Sequence, residues 1–386
     1  MYIINIHNIQ VIKMRKQKVT FADIAKETGF SKTTISRYFN APDTLTTENQ
    51  EIICRALEKL HYRENKVARI LASGHTEFIG FVVPNLYMHY YAEMLHQMLT
   101  SYSKYGYKFL VFESYDKEDY ERTYLQDLLS YNVEGIIILS HAIPSRELAS
   151  YGVPVVAIER EDHYISSVNT DNLMGGVQAA SLLYKCGCDD LFFIDGPILD
   201  LARPHGRRDG FINICTEKGI PFEVLISDID NSDYKETYNA FSKIVDDIAL
   251  RYPGKKKGIF CANDTYASMV LTHLVRSYGH FPDDFSLIGF DGSPVSENAI
   301  IPFSTIGQQI NVIAERALEV LNEQIKARNK RIPESVPIRH EVVTPVVINR
   351  ETTSQNVLAE PASGYKTGGI ERRSKGGKIN SSLLGT

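Results

Sequence analysis

Cysteine is scarce: Cys54, Cys186, Cys188, Cys215 and Cys261 are scattered and odd in number. That argues against a disulfide framework and for reduced thiols in a cytoplasmic protein. Cys186 and Cys188 are separated by one residue, with no second Cys or His pair at zinc spacing, so no metal site is expected. No apolar run approaches the roughly 18 residues needed to cross a bilayer, which argues against a membrane role. The opening MYIINIHNIQVIK lacks the basic start and small-residue cleavage site of an export signal. It reads as an extension over residues 1–15, since Met14 stands just ahead of the first basic run. The signatures GxSxG, HExxH, GxxxxGK and GxGxxG are missing as well. Adjacent acids do occur at Asp283 and Asp284, but PDDF suits a solvated turn before a strand. No catalytic residue and no cofactor is therefore expected, and the chain is not read as an enzyme.

What is present begins with size and charge. At 386 residues the chain suits a small headpiece plus a core of two subdomains, and 43% hydrophobic content is enough for a sizeable core. The net charge of −5 argues by itself against a nucleic-acid partner. Its distribution matters more: Arg15 to His75 carries 11 Lys or Arg against 7 Asp or Glu, so that end is basic and the remainder acidic. A basic end can face phosphates while the bulk is repelled from them.

The stretch TFADIAKETGFSKTTISRYFN, from Thr20 to Asn40, has the pattern of a helix-turn-helix. Thr20 and Asp23 are spaced as a capping box, so a first helix is expected to start at Phe21, with Phe21, Ile24 and Ala25 on one face. Gly29 can take the left-handed conformation that ends a helix and turns the chain. Ser31 then caps a second helix that buries Ile35 and Phe39 and leaves Lys32, Thr33, Ser36 and Arg37 outside. Such a face suits a major groove: Lys and Arg donate to guanine O6 and N7, and Thr touches a thymine methyl or an adenine edge. The plain alternative is a pair of surface helices whose charges merely solvate it. Thr47 and Gln50 read as a further capping box before a third helix, with Ile52, Ile53, Ala56, Leu57 and Leu60 on one stripe.

The run VTFADIAKETGFSKTTISRYFN followed by LEKLHYRENKVARILASG resembles the start of lactose-repressor-type (LacI/GalR) transcription regulators, and the order of motifs extends the similarity to about Arg350. The resemblance implies a headpiece over 16–63, a hinge helix or linker over 64–76, a two-lobed effector-binding and dimerisation core over 77–351, and a tail over 352–386. It carries base reading to Lys32, Thr33 and Arg37, and the expected DNA-contacting set is Thr20, Ser31, Lys32, Thr33, Thr34, Ser36, Arg37 and Asn40. It also implies a hinge helix ordered on DNA, with Leu71 as an apolar wedge in the minor groove, unless Leu71 only packs between domains. The expected partners are operator double-stranded DNA, a sugar or sugar derivative, and a second copy of the chain.

From Phe78 onward short apolar strands alternate with helical patterns: FIGFVV, YKFLVFES, GIIILS, VPVVAIE, LFFIDG, FEVLISD, GIFCAND and SLIGFDG. Strands of this kind imply parallel sheets covered on both faces, and their number implies two α/β lobes like those of periplasmic binding proteins. The chain is expected to cross between lobes three times, near Lys185, Gln308 and Arg339.

Ligands of such sheets sit beyond the carboxyl ends of the strands. That singles out Asn85, Tyr87 and Tyr90 after the first strand, Glu159 and Arg160 after the fourth, and Asp171 and Asn172 before a helix. Asn263 and Asp264 close CAND, Asp291 closes GFD, and Gln308 follows STI. Carboxylates and amides accept from hydroxyls and an Arg fork donates, so the chemistry suits a polyhydroxylated molecule. Asp171 and Asp264 equally suit plain helix caps, and Arg207 and Arg208 could pair with nearby acids. The family resemblance implies an effector role for Arg207, Asn263, Asp264, Asp291 and Gln308. The aromatic cluster Tyr87, Tyr90 and Tyr91 departs from that family's commoner pattern; it could stack on a sugar ring or fill the cleft. The functional expectation is a DNA-binding repressor of carbohydrate genes, cytoplasmic and nucleoid-associated. The alternatives are a solute-binding protein of the transport class and a sugar-acting enzyme. The tail after Thr352, rich in Gly, Ser and Lys, is read as disordered.

Overall fold

The computed structural model describes residues 19–62, 70, 74–100, 102–160, 163–196, 206–227, 233–332 and 334–353. Contacts divide the chain into two units, Met1–Thr76 and Glu77–Thr386. The extension over 1–15, most of the hinge segment with Leu71, and the tail from 354 lie outside the described residues.

The first unit holds α1 (Phe21–Thr28), α2 (Lys32–Asn40) and α3 (Thr47–Lys59), with a 3-10 turn over Pro42–Thr44. Asp23 starts α1 by accepting the Thr20 backbone N–H and hydroxyl through Oδ2, each at 2.8 Å. Gly29 ends it at φ 75°, donating to Ala25 O at 2.9 Å. Ser31 Oγ accepts from Thr34 N at 3.1 Å and opens α2. The apolar positions of all three helices meet at Ile24, Ile35 and Ile53, which are fully buried. Phe21 stacks on Phe39 at 5.2 Å beside Tyr62.

One cap differs from expectation. Thr46, not Thr47, caps α3, with Oγ1 accepting from Asn49 N at 3.3 Å. Gln50 is drawn instead to open carbonyls of the preceding turn, donating to Pro42 O at 2.9 Å and Leu45 O at 3.2 Å. Backbone carbonyls near the 3-10 turn outcompete the cap for that amide.

Among the described residues the second unit has twelve strands. The first six are β1 (Phe78–Val83), β2 (Lys108–Glu113), β3 (Gly135–Ile138), β4 (Val155–Ile158), β5 (Ser166–Thr170) and β6 (Asp190–Asp195). The others are β7 (Phe222–Ile226), β8 (Lys257–Cys261), β9 (Phe285–Asp291), β10 (Ser304–Gly307), β11 (His340–Val343) and β12 (Val346–Ile348). One lobe has the order β11-β5-β4-β3-β1-β2, parallel throughout. The other has β12-β10-β9-β8-β6-β7, parallel except that β12 runs against β10. The helices are α4 (His89–Thr100), α5 (Tyr102–Tyr105), α6 (Glu118–Ser130), α7 (Ser145–Ser150) and α8 (Asn172–Lys185), then α9 (Gly206–Lys218), α10 (Tyr234–Arg251), α11 (Asp264–Tyr278), α12 (Pro294–Asn298) and α13 (Ile310–Arg328).

The chain crosses between lobes at Asp171, at Gln308–Gln309 and at Thr344–Pro345. The first crossing comes before α8 and not near Lys185, because α8 packs on the second lobe: a Cβ at Gly175 would meet the Phe290 ring at 2.5 Å. The third lies beyond Arg339, because His340–Val343 is still paired with β5. The strand β5, SSVNT, carries no apolar run, yet all five residues are buried. Hydrogen bonds make that burial tolerable: Ser166 Oγ accepts from Gln324 Nε2 at 2.8 Å, and Asn169 exchanges bonds with the Arg160 backbone.

Candidate functional site

Side chains from both lobes converge on a cavity of about 90 Å³ at the carboxyl ends of the strands. Leu139 and His141 follow β3, Ile158 and Glu159 end β4, and Tyr90 with Tyr91 comes from α4. The second lobe brings Asn172 from α8, Asp195 from β6, Arg207 and Arg208 from α9, Asn263 after β8 and Asp291 from β9. Gln308 sits at the crossing after β10. The lobes also touch beside the cavity, where His89 N donates to Thr265 Oγ1 at 3.0 Å and Tyr87 meets Tyr234 edge to face.

Arg207 is at the centre of these contacts, and glycines put it there. A Cβ at Gly176 would meet Arg207 O at 2.1 Å, and one at Gly210 would meet Leu173 O at 2.2 Å, so only glycine lets α8 and α9 approach this closely. Arg207 Nε then donates to Asn172 Oδ1 at 2.7 Å and Nη1 to Ala262 O at 2.6 Å. The guanidinium lies 3.7 Å over the Phe290 ring, a cation–π contact. It stands 3.8 Å from both Glu159 Oε2 and Asp291 Oδ1, attractive but too far for direct hydrogen bonds.

The acids are held on the same scale. Glu159, at φ 59°, accepts from Thr170 N and Asn172 Nδ2, each at 2.7 Å. Asp291, at φ 123°, accepts from Gln308 Nε2 at 2.6 Å, and Gln308 in turn accepts from Thr170 Oγ1 at 2.6 Å. Burial raises the Asp291 carboxyl to about 7 against the opposing pull of Arg207. Burial, then the neighbouring Asp291, pushes Asp264 well above the carboxylate range. These groups can accept from hydroxyls and donate to them, against apolar walls formed by Phe193, Leu139 and Ile158.

In the first unit Ser31, Lys32, Thr33, Arg37 and Asn40 are exposed, as is Thr20 at the start of α1, while Thr34 and Ser36 are partly exposed. Ser31 and Thr34 pair through their hydroxyls at 2.8 Å, and Asn40 Nδ2 donates to Ser36 Oγ at 3.1 Å. Among the described residues the side chains of Lys32, Thr33 and Arg37 make no hydrogen bond.

Residues 180–353 match the periplasmic binding protein-like domain. The chain is 27% identical over 349 residues to the ribose operon repressor of Halalkalibacterium halodurans, covering 89% of this chain and 99% of that one. It is 29% identical over 304 residues to the sucrose operon repressor of Streptococcus mutans, covering 78% and 92%. Among solved structures, a periplasmic binding protein/LacI transcriptional regulator from Alkaliphilus metalliredigens in complex with D-xylulofuranose superposes with a TM-score of 0.60 at 28% identity, covering 72% and 98%. The lac repressor dimer bound to operator shares the fold at a TM-score of 0.72 and 19% identity, covering 87% and 99%. The chain is thus similar over most of its length to LacI-type transcriptional regulators.

Of the expected effector residues, Tyr90, Arg207, Asn263, Asp291 and Gln308 line the cavity. The other five candidates lie outside the lining. Asp171 caps α8, its Oδ1 accepting from Met174 N at 2.9 Å. Asp264 is a strut beneath Asp291: it accepts from Thr305 Oγ1 at 2.6 Å and Ser293 N at 2.7 Å. Arg160 turns into the first lobe, donating to Ile143 O at 2.9 Å and Ser145 Oγ at 2.8 Å. Asn85 accepts from Met88 N at 3.2 Å, and Tyr87 packs on Tyr234. Glu159 and Asn172, singled out beside Arg160 and Asp171, do line the cavity. His141 and Asp195 were not singled out from sequence, although the strand-end rule applied to GIIILSH and LFFID reaches both.

Proposed function

We propose that the chain is a sequence-specific DNA-binding repressor of carbohydrate-utilisation genes, acting as a homodimer and controlled by a sugar-like effector held between the two core lobes. It works in the cytoplasm at the nucleoid, as a binding protein and not an enzyme. One observation carries the reading. The same chain joins a helix pair whose Lys32, Thr33 and Arg37 are exposed to a cleft where Arg207, Glu159, Asp291 and Gln308 converge. The relatives, named as ribose and sucrose operon repressors, support it.

The mechanism follows from linkage. One headpiece offers too few base contacts for a genomic search, so two must read two half-sites together. An effector that favours one arrangement of the lobes changes the fit of the pair to those half-sites, and operator must change effector affinity by the same factor. The test is fluorescence anisotropy of a labelled palindromic operator with the full chain, with and without each member of a sugar panel. At least one sugar should shift operator affinity tenfold or more. Operator binding indifferent to every sugar, or chemical turnover of one, overturns the reading.

A further inference from the structure

Among the described residues that line the cavity, Tyr90 is the one with a buried side-chain polar atom left without a hydrogen bond. Its side chain is 7% exposed, and its hydroxyl is buried without a hydrogen-bond partner among the described residues. A buried hydroxyl left unpaired is costly, and ligand sites are where such a cost is kept. The ring is fixed edge to face against Tyr91 at 5.4 Å, so the hydroxyl cannot swing away to water without disturbing both rings. Burial, with Glu159 and Asp291 nearby, pushes the phenol well above its ordinary range, so it stays protonated and is available as a donor.

The surroundings limit what can receive that proton. Three carboxyl groups, Glu159, Asp195 and Asp291, face the cavity against two guanidiniums, Arg207 and Arg208. Neither guanidinium is fully available: Arg207 is bonded to Asn172 and Ala262, and Arg208 Nε donates to Asp209 at 3.2 Å. A phosphate dianion or carboxylate only accepts hydrogen bonds and would add negative charge beside Glu159 and Asp195. A neutral hydroxyl both donates to the acids and accepts from Tyr90. The cavity of about 90 Å³ holds roughly six to nine water-sized groups, on the scale of one sugar ring.

Resting on the repressor reading above, we propose that the effector is a single uncharged sugar ring, and that the Tyr90 hydroxyl recognises it by donating to one of its oxygens. Tyr90 is thus a specificity-determining residue, and the carboxylates beside it disfavour phosphorylated sugars.

The test is calorimetric titration and thermal shift of the full chain. The probes are D-ribose, D-xylose, D-fructose and D-glucose, with ribose 5-phosphate, glucose 6-phosphate and sucrose as competitors. A neutral monosaccharide should bind at least tenfold more tightly than its phosphate and than sucrose. Tyr90→Phe should weaken that binding about tenfold while the ligand-free melting temperature stays level or rises, because the variant removes an unpaired buried hydroxyl. A purely structural role for Tyr90 would not give that pair of opposite effects. A phosphate or disaccharide bound as tightly as the monosaccharide, or Tyr90→Phe binding as the parent does, overturns the inference and leaves sugar sensing standing. No response to any carbohydrate overturns both.

Discussion

Ile24, Ile35 and Ile53 are brought together from three consecutive helices to close the headpiece. The cleft gathers Tyr90, Glu159, Arg207, Asp291 and Gln308 from elements scattered along both lobes. In the headpiece, stability depends on three apolar side chains and function on charged ones pointing outward. In the cleft the same buried polar groups serve both ends: Asp291 ties Gln308 in place and faces the ligand space. A change in the headpiece core should therefore spare sensing, whereas a change at Asp291 should touch stability and sensing together.

The largest effect expected is from Ile35→Ala. Removing a fully buried Ile costs about 2–5 kcal/mol, and a domain this small has little more than that to lose. Operator affinity should fall more than a hundredfold while sugar binding and the core's melting transition persist. Calorimetry combined with gel shift measures both, and a core transition that moved with the headpiece would break the contrast.

Next comes the pH dependence of the core. The Asp291 carboxyl titrates near 7 in the fold against an ordinary 3.8, so between those values the folded state holds a proton that the unfolded chain has released. Its stabilising contribution is present below about pH 4 and is lost as pH rises through 7, the reverse of a salt-bridged aspartate, with a span of at most about 4 kcal/mol. The melting temperature of the core should fall across that window. In Asp291→Asn the slope should be shallower, though not flat, because Asp264 is shifted in the same direction. Equal slopes in variant and parent would show that Asp291 ionises normally.

The headpiece shows why local signals were legible. Thr20 with Asp23, Gly29 and Ser31 act within a few residues of themselves, so spacing alone predicts the caps found at α1 and α2. Thr47 fails as a cap because Gln50 found carbonyls in a turn whose shape spacing does not reveal. In the core, apolar runs announce β1, β3, β6, β8 and β9, while SSVNT is silent because its burial depends on partners distant in sequence, Gln324 and Gln308. In the cleft the strand-end rule named Glu159 with Arg160 and Asp171 with Asn172, but not which of each pair faces the cavity. A positive φ at Glu159 turns that side chain into the cavity and Arg160 away from it, and no periodicity encodes such a reversal.

Arg37→Ala tests the outward face of the headpiece. Arg37 is exposed and its side chain has no hydrogen bond to lose, so the fold should be untouched. A base-reading Arg contributes about 1–3 kcal/mol of discrimination, so affinity for cognate operator should drop roughly tenfold to a hundredfold more than affinity for random DNA. Equal losses on both, measured by anisotropy at fixed salt, would reduce Arg37 to a phosphate contact.

The smallest effect separates two neighbours. Asp171 caps α8 and lies outside the cavity, whereas Asn172 lines it and bridges Arg207 to Glu159. Asp171→Ala should cost about 1 kcal/mol of core stability, the usual loss for an N-cap, with sugar affinity unchanged. Asn172→Ala should weaken sugar binding instead, because it frees both Arg207 Nε and the Glu159 carboxylate from the positions that face the ligand. Urea melts and calorimetric titration of the two variants side by side give the comparison. If Asp171→Ala lost sugar binding and Asn172→Ala kept it, the first crossing between the lobes would present the opposite residue to the cleft, and the geometry built on Arg207 would fall with it.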